Sequence, residues 1–407
     1  MQQTLRERFG VLVASHLHRR SDIQQAVDRW LDSATPPSGS DALILVKPNL
    51  NNDLCALTGN STDLRLIATV IEALKDRGYT NLVVADGPNI GTYRKGIDIL
   101  ARLGVRALCA HYDVECVDLN HSKAQDVALA TGPVRIARLC HEADYFIDLP
   151  KLKTHAEAGM SLALKSLIGC VVGTDKRLVH ADLPANIVAL NESIRPDLII
   201  ADALIAMEGN GPGDGRPRRT DTLLAGEDPF TLDLVASRLF GLDPETIPYL
   251  AIAASRGHLA EADFEAAAEL DPVRRLDPAP SRGRLVRLLD SRALAPIRDA
   301  TRFLHSRESF RRLLHRLGIM QDVYEAEDAA IEGIRLDRDR CTRCGRCLAF
   351  CPLGLPILDE DFEYDRTVCR RCLYCFCVCP QRAISLQGDL GYLAAHLQRY
   401  GDSMRSL

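Results

Sequence analysis

Cysteines recur as Cys341-x2-Cys344-x2-Cys347-x3-Cys351-Pro352 and again as Cys369-x2-Cys372-x2-Cys375-x3-Cys379-Pro380. Three thiolates at that spacing wrap one iron–sulfur cube, and the fourth projects away toward a second. Two structural zinc sites are the competing chemistry, since they also use CxxC pairs. They do not require the third and fourth cysteines or the trailing proline of each run. Nine of the fourteen cysteines lie between Cys341 and Cys379, and the ninth, Cys377, fits no ligand position. It reads as a buried thiol, as do the scattered Cys55, Cys109, Cys116, Cys140 and Cys170, because free cysteine is among the most buried residue types.

A second concentration of reactive types is the stretch LPKLKTHAEAGMSLALKSLIGCVVGTDKRLVH, Leu149 to His180. It sets Lys151, Lys153, His155, Lys165, Lys176, Arg177 and His180 in an apolar neighbourhood. Such cations gather around an anionic ligand, or stabilise charge that develops during a reaction. The bland alternative is a solvated basic loop with a core histidine. Imidazole titrates near working pH, so His155 or His180 is the expected proton carrier. Lys153, Lys165 and these two histidines are the candidate catalytic groups.

These residues need a scaffold that brings them together. Short apolar runs, LILVK (43–47), NLVVAD (81–86), YFIDL (145–149) and LIIADA (198–203), alternate with helical patterns at Thr62 to Arg77, Lys95 to Leu103 and Glu157 to Ile168. The helix from Glu157 would carry Met160, Leu164, Leu167 and Ile168 on one face. VLVA (11–14) precedes a helix with a Ser21-x-x-Gln24 capping box. The alternation predicts an α/β fold: a large domain with a mainly parallel sheet and crossover helices. Ligands then sit outside the carboxyl ends of the strands. At and just beyond those ends stand Lys47 and Asn49, Asp86 and Asn89, Lys151 to His155, and Asp202 with Glu208. With Lys176 these form the expected binding set for a small anionic substrate. Asp86, Asp202 and Glu208 could alternatively hold a divalent metal, and an organic cofactor is left open. The glycines at 209, 211, 213 and 215 suggest an anion-binding loop or a lid; neither G-x-G-x-x-G nor GxxxxGK[ST] is present.

At 407 residues the chain exceeds one ordinary core. The expected organisation is an α/β domain over 1–270, an arginine-rich helical connector over 271–332, a small α+β cysteine domain over 333–386 and a helical tail over 387–407. A net charge of −5 and a pI near 6.1 disfavour nucleic acid as a partner. No apolar run is long enough to cross a bilayer and no secretory signal is visible, so the expectation is a cytoplasmic protein without membrane insertion. The connector's arginines outnumber its acids, which suits either solvated helix faces or docking of an acidic electron-carrier protein.

The cysteine runs resemble the bacterial two-cluster ferredoxins. That resemblance implies two 4Fe-4S clusters, one held by Cys341, Cys344, Cys347 and Cys379, the other by Cys369, Cys372, Cys375 and Cys351. ILVKPNLN, VVADGPN, DLPKLKTH, LALKSLIGCVVGTDKRLVH, IADALIAMEGNGPGDG and DPFTLDLVASRLFGLDP are similar to the domain of unknown function 362 family, often joined to a ferredoxin module. Members commonly read Lys-Asn where this chain has Lys165-Ser166. A fainter similarity of His155, Lys165 and His180 is to the nickel-pincer lactate racemases, implying a cofactor-bearing lysine. The functions carried forward are an iron–sulfur oxidoreductase, a non-catalytic electron-transfer or metal-delivery subunit, and an isomerase or transferase with structural clusters.

Overall fold

The computed structural model describes residues 2–280, except 35 and 38, and 324–407, except 325, 326, 363 and 365–367. The expected connector therefore lies largely outside the described residues, and with it the carrier-docking surface. Strands β1 (Leu12–Ala14), β2 (Ile44–Pro48), β3 (Leu82–Asp86) and β4 (Glu115–Asp118) enter one large sheet. A separate hairpin, β5 (Ala124–Leu129) and β6 (Gly132–Ala137), comes next, and then β7 (Tyr145–Leu149), β8 (Lys151–His155), β9 (Gly159–Ser161), β10 (Leu198–Asn210) and β11 (Asp214–Gly226) complete the sheet. Its order is β1-β11-β10-β7-β2-β3-β4, with β8 beside β10 and β9 beside β8. β4, β3, β2, β7 and the start of β10 run parallel, whereas β11 runs antiparallel to both of its neighbours, β10 and β1. The chain is an α/β protein.

The parallel strands are short apolar runs because both faces are covered. Ile44 and Val46 point into one core with the helix Leu64–Asp76, while Leu45 enters the other with the helices Leu183–Ser193 and Pro229–Leu239. Asp63 caps the first of these helices by accepting the Arg65 N–H at 2.9 Å. Parallel alignment brings Lys47, Asp86, Asp118 and Asp148 to one edge of the sheet.

Several expectations give way to sheet pairing. The helix over 157–168 is instead the end of the β8–β9 hairpin, then the short helix Ala163–Ser166 and a 3-10 turn, Leu167–Cys170. Gly159 turns the hairpin at φ 75°, and a Cβ there would press to 3.2 Å on Thr246 O, so the apolar periodicity never becomes one long helix. Lys153 and His155 accordingly lie on a strand, not on a strand-to-helix loop. LIIADA extends to Asn210 and pairs antiparallel with β11, which makes the glycine series the end of a two-stranded ribbon. The helix expected at 95–103 is two short ones, Ile90–Lys95 and Ile99–Arg102. The helix Arg20–Ser33 is closed by Asp22, which accepts the N–H groups of His18 and Arg19, in place of Ser21 and Gln24.

The C-terminal region pairs β12 (Ala330–Leu336) antiparallel with β13 (Ile384–Asp389). Short helices Arg346–Phe350 and Tyr374–Val378 lie between them, and Leu393–Ser406 comes last. Phe350, Tyr374, Cys377, Val378, Tyr400 and Met404 join the same apolar core as the Leu64–Asp76 helix. At this seam the Arg65 guanidinium pairs with Asp63 at 2.8 Å, lies 4.3 Å over the Phe350 ring and donates to Ala349 O at 3.3 Å. Among the described residues no helix is long and apolar enough to cross a membrane.

Arg65→Ala leaves Asp63 buried without its cation. A loss of about 3–5 kcal/mol in denaturant unfolding is expected, the range for breaking a buried pair. A loss below 1 kcal/mol would mean that the seam does not depend on it.

Candidate functional site

Lys47 stands at the end of β2 with its side chain fully buried. Its Nζ lies 3.1 Å from Asp86 Oδ1 and 3.6 Å from Asp148 Oδ1, and donates to Ser166 Oγ at 3.0 Å. Burial alone would lower its pKa, but the two carboxylates outweigh that and raise it. Ser166 Oγ donates in turn to Asp148 at 2.9 Å. Burial pushes the Asp148 carboxyl up to about 6, against the pull of Lys47. Gly169 is required beside this cluster, because a Cβ there would overlap the Asp86 carboxylate.

In front of Lys47 is a cleft of about 120 Å³ lined by Asn49, Asp86, Asn89, Lys165, Lys176 and His180. Among the described residues Lys165 Nζ makes no hydrogen bond; burial lowers its pKa to about 8, opposed by the charge of Glu157. Lys176 is likewise lowered to about 8 by burial, against Asp86 and Asp118, and its Nζ donates to Asn120 Oδ1 and Val171 O. His180 is half-exposed, 3.7 Å from Glu157. Asn89 Oδ1 caps the helix Ile90–Lys95, and its Nδ2 donates to Asn51 O and Tyr324 Oη.

The remaining expected residues lie behind or beside the cleft. Lys153 Nζ is buried and donates to Asn49 Oδ1 at 2.5 Å and Asn60 O at 2.6 Å, so it positions Asn49. Burial, then Lys165 and Lys151, pull its pKa well below the lysine norm. Lys151 and Asp202 pair with each other at 2.9 Å, fully buried, and Asp202 also accepts the Asp63 N–H at 2.7 Å. They are structural and not part of the cleft wall. His155 is the last residue of β8, and its Nδ1 accepts the N–H groups of Glu157 and Ala158 in the β8–β9 turn at 3.1 Å each. Those bonds fix Nδ1 as the unprotonated nitrogen. Glu208 belongs to the ribbon, facing Arg216 and Arg218 at 3.6 and 4.0 Å. Asp86, Asp202 and Glu208 thus each face their own cation and do not converge as a metal site.

Sequence reasoning missed Asp148, Ser166 and Asn120, and also Asp233. The Asp233 carboxylate accepts the N–H groups of Ala163 and Leu164 at 2.9 and 3.3 Å and the Tyr249 hydroxyl at 3.2 Å. Asn191 Nδ2 donates to Leu164 O at 2.7 Å. These contacts hold the four-residue helix that presents Lys165. The signal for Asp148 and Asp233 was a carboxylate placed among buried apolar residues, which demands a partner.

The cysteines form two rings. Burial pushes the Cys347 thiol up to about 11, helped by Cys344, Cys341 and Cys379. Cys375 is pushed up by burial and by Cys369, Cys351 and Cys347; Cys372 by burial and by Cys375, Cys351 and Cys369. The neighbours of Cys347 are those of the first set that the ferredoxin resemblance implies, whereas Cys375 neighbours Cys347 of that set as well as Cys369 and Cys351. Their backbones repeat: Arg343 and Gly345 of the first run, and Arg371 and Leu373 of the second, have positive φ. Backbone N–H groups of Leu355 and Ala383, each four residues past the last cysteine of its run, donate to Cys351 Sγ at 3.4 Å and Cys379 Sγ at 3.2 Å. Such bonds to sulfur are a means of tuning iron–sulfur potentials. Among the described residues no three potential ligands converge as on a single ion. Cys377 is buried in the shared core.

An α/β body with a cationic strand-end cleft and a cysteine-ring module defines an iron–sulfur-binding protein. Residues 44–238 match the family described as Domain of unknown function (DUF362), and residues 334–355 match the 4Fe-4S binding domain. The thylakoid-associated protein sll1697 of Synechocystis sp. is 34% identical over 221 residues, spanning 51% of this chain and 66% of that protein. The chain thus covers just under two thirds of that relative. Among solved structures, the lactate racemase apoprotein of Thermoanaerobacterium thermosaccharolyticum is 12% identical with a TM-score of 0.35, covering 55% of each chain. A Thermotoga maritima protein is 13% identical with a TM-score of 0.31, covering 51% of this chain and 56% of that one. The chain spans about half the length of either, and at those scores they carry no argument about activity.

Because Lys165 and Lys176 titrate near pH 8, they are charged below it and discharge above it. Oxalate titrated calorimetrically is expected to bind at pH 7 and to lose about tenfold in affinity by pH 9. Equal affinity at both values would show that these amines do not hold the anion.

Proposed function

We propose that the chain is an iron–sulfur oxidoreductase that passes electrons between two 4Fe-4S clusters and a small anionic substrate or cofactor in the strand-end cleft. The observation that carries this reading is a contiguous series of buried contacts from the cleft to the cysteine rings. The Asn49 N–H donates to Thr62 Oγ1 at 2.8 Å, the adjacent Asp63 holds Arg65, and Arg65 covers Phe350 next to Cys351. When bound, the clusters supply or take up single electrons at potentials between roughly −700 and +450 mV.

The chain's own residues do the remaining work. Lys165 and Lys176 hold the anionic group, and Asn49 and Asn89 orient its neutral part. An external one-electron carrier protein is the electron source, in two successive transfers for a two-electron reduction. Such a reduction consumes two protons. Lys165, still protonated at pH 7, gives one, and His180 beside Glu157 gives the other. Lys47 keeps its charge behind the cleft and stabilises negative charge that develops there. In the oxidative direction the same groups accept the protons.

If both rings are loaded, replacing Cys341 and Cys344 together by serine lowers bound iron from roughly eight to roughly four per chain, as does replacing Cys369 and Cys372, while Cys377→Ser leaves it unchanged. Colorimetric iron assay decides this.

For the cleft, dithionite-reduced protein is mixed with small 2-oxo and unsaturated carboxylates, and recovery of visible absorbance is followed. At least one class should reoxidise the wild type about 100-fold faster than Lys165→Met with the same iron content. Identical rates for every anion would remove the enzyme reading and leave an electron-transfer subunit.

A further inference from the structure

We propose that a second cavity, between the C-terminal helix and the α/β body, binds a flat aromatic molecule, mostly apolar and with one polar edge. The cavity is about 420 Å³, within the range of roughly 300–1,000 Å³ typical of small-molecule sites, and lies at a domain interface, a preferred location for them. It shares no lining residue with the strand-end cleft.

Its walls dictate the class of ligand. Leu103 and Ala107 of the α/β body, Leu393 and Leu397 of the C-terminal helix and Phe376 of the cysteine module supply apolar lining, with Arg370 and Arg371 among the cavity's charged residues. Sulfur is concentrated here: Cys55, Cys372, Cys377 and Met404 all line the cavity, with Cys55 Sγ 4.0 Å from Met404 Sδ. Polarisable sulfur and apolar carbon together favour the face or edge of an aromatic ring. The polar edge is matched by a charged cluster, in which Arg102 meets Asp53 at 3.0 Å and Asp328 at 2.7 Å, and the partly exposed His396 lies 3.6 Å from Asp53. Arg102 lies 4.3 Å over the Tyr392 ring. Clamping the C-terminal helix would explain this cluster without any ligand, but a clamp does not explain the space beside it. The cavity is partly open to solvent, so a small molecule can enter it without unpacking the seam. A ring in the cavity would rest against Cys372, placing it next to one of the cysteine rings. Quinone-like heteroaromatics meet these requirements of shape and polarity.

The test uses the full-length, iron-loaded protein and the fluorescent probe 2-heptyl-4-hydroxyquinoline N-oxide. Expected is saturable quenching at one probe per chain, weakened at least about tenfold by Ala107→Phe and by Leu397→Trp, which enlarge two lining residues from different elements. Ala110→Phe, on the exposed side of the same helix as Ala107, should bind as the wild type does. Iron content and circular dichroism establish that each variant is folded, and either filled variant that folds is sufficient. Absence of saturable binding to the wild type, or wild-type affinity in a folded, filled variant, overturns the proposal. Neither result depends on Lys165, so this inference and the oxidoreductase reading fail separately.

Discussion

A buried ammonium group keeps its charge when carboxylates match it, and two such matches organise the carboxyl edge of the sheet. Taking an ion out of water costs several kcal/mol even after relaxation, and pairing offsets this only when geometry is good and the remaining donors are used. Lys47 meets the condition with Asp86, Asp148 and Ser166, and Lys151 meets it with Asp202. The partners come from different strands, so sliding any strand by one residue would strand a charge in the core. Such pairs contribute more to selecting one register than to net stability. They also fix where Asn49, Asp86 and the Gly169 backbone stand, and therefore the shape of the cleft.

Against this background the cations at the cleft differ in kind. Lys47 and Lys151 are neutralised by neighbours, whereas Lys165 Nζ makes no hydrogen bond among the described residues and Lys176 is bonded to neutral oxygens. Burial without a matching carboxylate is what lowers both toward pH 8. An incoming anion would restore the missing pairing, so their charge is stabilised by ligand more than by protein. Asp233 and Asn191 hold the short helix beneath Lys165 from two directions. The amine is presented by a backbone already fixed, which reduces the ordering cost of binding.

Sequence reading succeeded where the chemistry is local. The β2, β3 and β7 strands are continuous apolar runs because they are covered on both faces, and the cysteine rings arise from fixed spacing. It failed where partners lie far apart in sequence. Met160, Leu164, Leu167 and Ile168 carry a helical period, yet the β8–β9 pairing and the Gly159 turn take the first of them into a strand. Lys151, Asp202 and Glu208 have the residue types of a binding site, but pairing across the sheet and the ribbon assigns them to structural contacts. Asp148 was hidden within YFIDL, where a central carboxylate should have implied a cation from another strand.

The cysteine module is joined to the α/β body by a core rather than by a linker alone, and this bears on any coupling between them. Phe350 precedes Cys351 and Tyr374 precedes Cys375, and both aromatics are packed into the α/β core. The Tyr374 hydroxyl accepts the Leu64 N–H at 3.3 Å, and Arg65 is stacked on Phe350. Each contact falls on the residue next to a ring cysteine and on the first turn of the helix that succeeds the Asn49–Asp63 loop. A change in the geometry of the Cys351, Cys369, Cys372 and Cys375 ring must therefore be absorbed at that helix start or transmitted to the loop carrying Asn49. The close-packed seam leaves little room for absorption. By linkage, a ligand that binds one state of the loop better must also bias the ring that prefers that state, by the same free energy.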